Sequence, residues 1–327
     1  MDRGPGVAGG IERPTLADIR AAAAALRTVV PRTPLLDAPG LAEVAGAPVA
    51  LKCEQLQPIG AFKIRGAFTA ISRLPPAERA RGVVTHSSGN HGQAVAYVAR
   101  HFGIRAIIVM PADAPQVKID GVRRHGAEVS FVDDRRQRQA RSEALAAEHG
   151  LVMVPPYENI DVIAGQATCG LEILEQWPEV ETIVVPVGGG GLIAGIASAV
   201  AALKPAVRVV AVDPAGAPKL ARALEAGAPV TLAETSSIAD GLLPLSVGRL
   251  PFALLRGVVH EAVPVGDDEI AAAVRYIFDV LRLTVEPSGA VGVAALLSGR
   301  IRPSGPTALV VSGGNVDPDL FHRLVLA

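Results

Sequence analysis

At 327 residues, half of them apolar and with a formal net charge of −1, the chain is long enough for two domains or one large α/β unit. No basic stripe argues for nucleic acid and no Lys/Arg cluster for anionic lipid, so neither is an expected partner. Its two cysteines, Cys53 and Cys169, make no disulfide or metal-binding spacing, and a soluble, reduced, cytoplasmic protein is expected.

Residues 1–12 are rich in Gly and Pro without an apolar core, which predicts a disordered tail rather than a secretion signal or a fold element. Apolar periodicity then predicts a helix over 17–30, a strand over 49–52 and, beyond Lys63, a helical stretch through Phe68 and Ile71. A strand over 82–85 feeds Ser87-Ser-Gly-Asn-His-Gly92 and a helix over 92–102. A strand over 106–110, a helix over 116–125, a strand over 128–132 and a helix over 135–149 follow. The arginines of 135–141 read as the solvated face of that last helix. After a helix over 162–176 comes the uncharged stretch 182–203, which Pro186 and the run Gly188 to Gly191 prevent from being one membrane-spanning helix. It reads as a buried strand over 182–187, a glycine turn and a helix. A strand over 207–212, a helix over 267–283 and a strand over 307–311 complete the pattern. Several strands are apolar throughout, as expected when helices cover both faces, so the fold class is α/β with mostly parallel sheets. The segment 74–159 carries enough βα-type units for a small sheet of its own, leaving 13–73 and 160–327 for a larger domain.

Four places carry chemistry. Lys63 lies in Pro58-Ile-Gly-Ala-Phe-Lys-Ile-Arg-Gly66, where small residues let another group approach closely. A lysine in such a tight, partly apolar setting loses its ammonium form more easily, and the neutral amine attacks carbonyls. A surface lysine opening an amphipathic helix is the alternative. The run Gly188 to Gly191, with Leu192 opening a helix after a strand, suits a phosphate, because converging N–H groups and the helix dipole favour an anion. The same run fits a dinucleotide fingerprint, with Asp213 at the end of the next strand as the ribose acid, so an NAD-dependent dehydrogenase stays open. The loop Ser87–Gly92 offers hydroxyls, an amide and N–H groups to a carboxylate, or is an ordinary helix cap. Ser312-Gly313-Gly314-Asn315 ends a buried strand where a ring can approach, and Glu286-Pro287 reads equally as a helix start.

Taken together and in this order, the four segments resemble the fold type II pyridoxal-phosphate (PLP) enzymes, specifically the threonine/serine dehydratases and serine racemases. Ile163-Ala-Gly-Gln166, Ile238-Ala-Asp-Gly241 and Val316-Asp317 extend the likeness from about Arg13 to Asp317. The resemblance implies a two-domain, tryptophan synthase β-like fold. A large cofactor domain is formed by 13–73 and 160–327, and a small mobile domain by 74–159. A cytoplasmic homodimer is implied as well. Lys63 would hold PLP as a Schiff base and, once freed, remove the α-proton. Phe62 would pack on the cofactor ring, and Gly188, Gly189, Gly190, Gly191 and Leu192 would bind its phosphate. Asn90 would bond the ring hydroxyl and Ser312 would face the ring nitrogen, with Gly241 and Glu286 also lining the cofactor. Ser87, Ser88, Asn90 and His91 would hold the substrate carboxylate.

A neutral hydroxyl opposite the ring nitrogen builds a weaker electron sink than a carboxylate, which favours loss of a β-hydroxyl. The implied reaction is therefore removal of water from L-threonine or L-serine, giving a 2-oxo acid and ammonia. Ser88 matches the hydroxyl that serves as the second catalytic acid of serine racemases, so a racemase, or a hydroxyaspartate-type dehydratase, is the alternative. Cation-activated relatives use two acids and a carbonyl that map to Asp213, Ala217 and Lys219; a lysine cannot donate an oxygen, so no metal is expected there and a Lys219–Asp213 pair is. The chain stops soon after Asn315, where biosynthetic threonine deaminases continue into a regulatory domain, which implies an enzyme without isoleucine feedback.

Overall fold

Strands form where Val, Ile and Leu are densest, because such side chains pack on a pleated surface covered from both sides. The computed structural model describes residues 12–87 and 89–326. Its strands are β1 (Leu35–Asp37), β2 (Val49–Cys53), β3 (Val83–His86), β4 (Ala106–Pro111), β5 (Glu128–Val132), β6 (Val152–Met153), β7 (Thr182–Pro186), β8 (Arg208–Pro214), β9 (Val259–Val265) and β10 (Thr307–Val311). They sort into a six-stranded sheet of order β1-β2-β10-β7-β8-β9 and a four-stranded sheet of order β5-β4-β3-β6. Every pairing is parallel except that of β1 with β2.

Alternation along the central strands feeds two cores. Val184, Val210 and Leu309 face one, with Val291 and Ile277 of covering helices; Ile183, Val185, Val209 and Val310 face the other, with Ile193 and Ile163. The four-stranded sheet is covered on one side by the helix Asn90–Phe102, whose Val95 and Val98 pack with Ile108, and on the other by Leu145 of Arg138–His149.

The boundaries depart from the sequence reading where tertiary structure overrides periodicity. The first helix is Leu16–Leu26, started by a Thr15–Asp18 capping box and ended four residues short of 30. The last long helix is Asp267–Asp279, and the chain then leaves through Arg282 at φ 57. The basic run begins as a 3-10 turn, Arg135–Gln137, before Arg138–His149. Strands β1, β6 and β9, short or at sheet edges, carry no long apolar run and escaped periodicity. The expected disordered tail over 1–12 falls, apart from Glu12, outside the described residues. No helix among the described residues is long and apolar enough to cross a membrane. Parallel strands aim their carboxyl ends the same way, so β2, β7, β8 and β10 deliver their following loops to one edge of the large sheet, and β3 delivers Ser87 beside it.

Candidate active site

Lys63 is the first residue of the helix Lys63–Arg73, whose start has no side-chain cap. The chain before it is stitched to the end of β10: Phe62 N donates to Ser312 O at 3.1 Å, Gly314 N to Gly60 O at 2.9 Å, and Asn315 Nδ2 to Ile59 O at 2.8 Å. Lys63 Nζ lies 5.2 Å from the Phe62 ring centroid and donates to Pro156 O at 3.0 Å, with no carboxylate paired to it among the described residues. A desolvated ammonium with only a neutral partner is poorly supported, and burial brings its pKa down to about 8. Gly66 serves packing rather than the pocket: a Cβ there would meet Gln166 Nε2 at 2.4 Å, on the neighbouring helix Ile160–Gln176.

The segment after β6 joins Lys63 to its surroundings. Val154 O receives His91 Nε2 at 2.9 Å, Pro156 O receives Lys63, and the Tyr157 ring lies on the glycine loop so closely that a Cβ on Gly189 would sit 2.1 Å from Tyr157 Cδ1. Within that loop Gly190 adopts φ +93, open to glycine at little cost, and the helix Gly191–Leu203 begins. The N–H groups of Gly188, Gly189, Gly190, Gly191 and Leu192 make no hydrogen bond to any described residue, although Gly189 to Leu192 are buried. Buried, unpaired N–H groups are costly unless a ligand meets them. Five at one helix start make a receptor for a phosphate. This array meets the requirement that a PLP phosphate places on its holder.

A second array opens the helix Asn90–Phe102. The N–H groups of Asn90, His91 and Gly92 have no partner among the described residues, while Ser87 Oγ accepts from Gly89 N at 3.1 Å. The His91 ring is turned into the protein. Burial, and next the nearby Lys63 charge, depress its pKa to about 3, so it is neutral, with Nε2–H committed to Val154 O and Nδ1 unpartnered. His91 therefore offers an anion its backbone N–H rather than an imidazolium.

Glu286 and Asn90 close the site. Asn90 Nδ2 donates to Glu286 Oε1 at 2.6 Å and Asn90 Oδ1 accepts from Asn315 Nδ2 at 2.9 Å, fixing the amide orientation. Glu286 Oε2 has no hydrogen-bond partner among the described residues, and burial drives the carboxyl up to about 7 against the attraction of Lys118, whose Nζ lies 4.0 Å from Oε2. Gly313 must be glycine for this approach, since a Cβ there would lie 2.3 Å from Glu286 Oε1. Ser312 is buried, and its hydroxyl makes no hydrogen bond to a described residue. Gly241 N donates to Ser288 Oγ at 2.9 Å, next to Asp240, which pairs with Lys118. Burial alone would lower Lys118; Glu286 and Asp240 outweigh it and hold the ammonium above its ordinary range.

The fold thus gathers Phe62, Lys63, Ser87, Asn90, His91, Gly188 to Leu192, Gly241, Glu286 and Ser312 through a continuous set of contacts. Ser88 lies outside the described residues. The dinucleotide expectation for Asp213 is not met: its side chain is fully buried, with Oδ1 accepting from Lys219 and Oδ2 from the N–H groups of Leu220 and Ala221, so a ribose has no access to it. The expected Lys219–Asp213 pair forms at 2.9 Å. Motif reading missed Pro156, Tyr157 and Lys118. A carbonyl leaves no signal in sequence, and Tyr157 sits in a loop without periodicity. Lys118 was detectable only as the one cation among the apolar positions of its helix, with Ile119 and Val122.

The chain belongs to the pyridoxal-phosphate-dependent enzyme family, whose model matches residues 26–313. PLP is the family's cofactor, and the donor arrays described above fit it. Among its relatives, the chain is 41% identical to a serine racemase of Oryza sativa subsp. indica over 91% of this chain and 90% of that one. It is 42% identical to an L-threonine ammonia-lyase of Thermotoga maritima over 95% of this chain and 78% of that one. The solved structure of maize serine racemase superposes with a TM-score of 0.91 at 39% identity, covering 94% of this chain and 96% of that one.

Proposed function

We propose that the chain is an ammonia-lyase that removes water from L-threonine or L-serine and releases a 2-oxo acid and ammonia. The observation that carries the reading is a desolvated Lys63 amine connected, through Val154 to Tyr157, with two arrays of unpaired N–H groups, five for a phosphate and three for a carboxylate. When bound, PLP supplies the electron sink that lets an α-proton leave. Lys63 would hold the cofactor, and its Nζ would take the α-proton; an amine with a pKa of about 8 is well matched to that exchange. The N–H groups of Asn90, His91 and Gly92, with Ser87, orient the substrate carboxylate. Asn90, whose amide is oriented by Glu286 and Asn315, would help hold the cofactor. Ser312 would offer the cofactor's ring nitrogen a hydroxyl rather than a carboxylate, which would favour loss of the substrate's β-hydroxyl as water; hydrolysis of the enamine product would then give the oxo acid and ammonia.

The same reading divides the chain into a cofactor-bearing part around the six-stranded sheet and a smaller part around the four-stranded sheet that moves over the substrate. It takes a homodimer as the working unit, which sedimentation equilibrium checks. The decisive assay incubates the purified protein with L-serine and L-threonine and follows both oxo acid and the D-enantiomer. Oxo acid as the main product supports the proposal. D-serine without oxo acid would make the chain a racemase, as its racemase relatives suggest. Ser88→Ala separates the two chemistries: a second acid at Ser88 predicts loss of racemisation with elimination retained, and equal loss of both refutes that role.

A further inference from the structure

Lys219 is a buried charge that the proposed reaction does not use. Its side chain is fully enclosed, and Nζ has four oxygens around it: Val187 O and Asp213 Oδ1 at 2.9 Å, Leu242 O at 3.0 Å and Ala217 O at 3.2 Å. An ammonium has three protons, so at least one is shared. Lys219 is also the first residue of the helix Lys219–Ala226, an end where a cation is electrostatically misplaced. Asp213 Oδ2 already serves that end, accepting from Leu220 N at 3.0 Å and Ala221 N at 3.4 Å. The position of Lys219 is therefore explained by what its head group holds.

What it holds comes from three separate segments. Val187 immediately precedes the glycine loop, Ala217 follows β8, and Leu242 ends the turn Asp240–Leu242. Three carbonyl dipoles and a carboxylate converging on one buried point repel one another unless a cation sits among them. Just beyond this point the two loops touch: a Cβ on Gly188 would lie 3.0 Å from Gly241 O. We propose that the Lys219 ammonium is a positioning group for the cofactor phosphate, clamping Val187 to Leu242 and so holding the N–H groups of Gly188 to Leu192 in the arrangement that receives the anion. The inference rests on the reading that this loop binds the PLP phosphate. Through Asp240, paired with Lys118 of the helix Gln116–Arg124, the clamp also fixes the turn that meets the four-stranded part.

The test is the affinity of apoprotein for PLP, read by fluorescence titration, in wild type and Lys219→Ala with sodium, tetramethylammonium, potassium or ammonium chloride. Lys219→Ala vacates a cage of four oxygens that a small monovalent cation can refill. In sodium or tetramethylammonium, PLP affinity should fall roughly 10- to 100-fold, as when the partner behind a ligating group is removed. Ammonium, and potassium of similar size, should restore most of it, while wild type stays indifferent to the salt. Unchanged affinity in Lys219→Ala with a lowered Tm would overturn the inference and leave Lys219 a purely structural residue. Equal behaviour in all four salts would do the same. If the variant folds poorly, refolding in each salt decides: recovery in ammonium but not in tetramethylammonium supports the clamp, and recovery in neither refutes it. Failure of the wild type to bind PLP would instead sink the cofactor reading of the loop.

Discussion

Lys63 and Arg65 stand two residues apart on one helical turn and meet opposite surroundings. Arg65 is fully buried and saturated: Nε and Nη2 reach Glu54 at 2.7 Å each, Nη1 and Nη2 reach Glu172 at 2.7 and 2.8 Å, and Nη1 also reaches Thr168 at 3.0 Å. Lys52 shares the cluster, donating to Glu172 at 2.6 Å and Gln176 at 2.9 Å. Burial alone would lower the Arg65 pKa, but the two carboxylates hold the guanidinium well above its ordinary range. Lys63 has one carbonyl, and burial wins. The same physical cost of desolvation is therefore cancelled in the foundation of the helix and left uncancelled at its tip. What differs is the supply of carboxylates, and that difference separates a cation held in its charged form from an amine that gives up its proton more readily.

Removing each cation sharpens the contrast. Lys63→Ala should reduce kcat by roughly a hundred- to ten-thousandfold and abolish borohydride fixation of PLP, with the urea midpoint nearly unchanged. Arg65→Met should do the reverse, costing about 3–5 kcal/mol in urea unfolding because Glu54 is left buried and unpaired. A midpoint equal to wild type would show that Lys52 compensates.

Glu286 extends the comparison to a carboxyl without a saturating partner. It titrates near 7 in the folded protein against an ordinary 4.5, so the folded state holds the extra proton between those values. Its contribution to stability is complete below about pH 4.5 and is lost as pH rises through 7. In apoprotein, Glu286→Gln should flatten that decline, gaining up to about 3 kcal/mol over wild type at pH 8. Parallel profiles for the two proteins would mean the carboxyl is charged throughout.

For Lys63 the lowered pKa predicts that the rate at which apoprotein captures PLP rises with pH and levels off above about 8. A rate still climbing at pH 10 would mark Lys63 as an ordinary lysine. The smallest effect belongs to Arg105 and Glu128, which are paired at 2.7 Å but exposed. Arg105→Ala should leave Tm unchanged within error, because solvent screens the pair.

Much of the site was legible because its chemistry is written in local runs. Phe62-Lys63, Gly188 to Gly191 and Ser312-Gly313-Gly314 each carry a chemical requirement within a few residues, and parallel-strand patterning places each beyond a strand end. Lys118 and Tyr157 were not legible, since each acts through a neighbour more than thirty residues away: Asp240 for one and Gly189 for the other. The sequence puts His91 at a helix start beyond a strand end, but only its contact with Val154 O shows that the ring is turned inward.

By itself the sequence determined the α/β class, most of the strands, and the residue types able to bind a phosphate and form a bond to a carbonyl carbon, because periodicity and local steric freedom are properties of neighbouring residues. Only the tertiary structure decided which charges are cancelled. Lys63 is half-buried and Arg65 and Lys219 are fully buried, and the fates of the three cations differ because the number of oxygens each meets is set by segments brought together from across the chain.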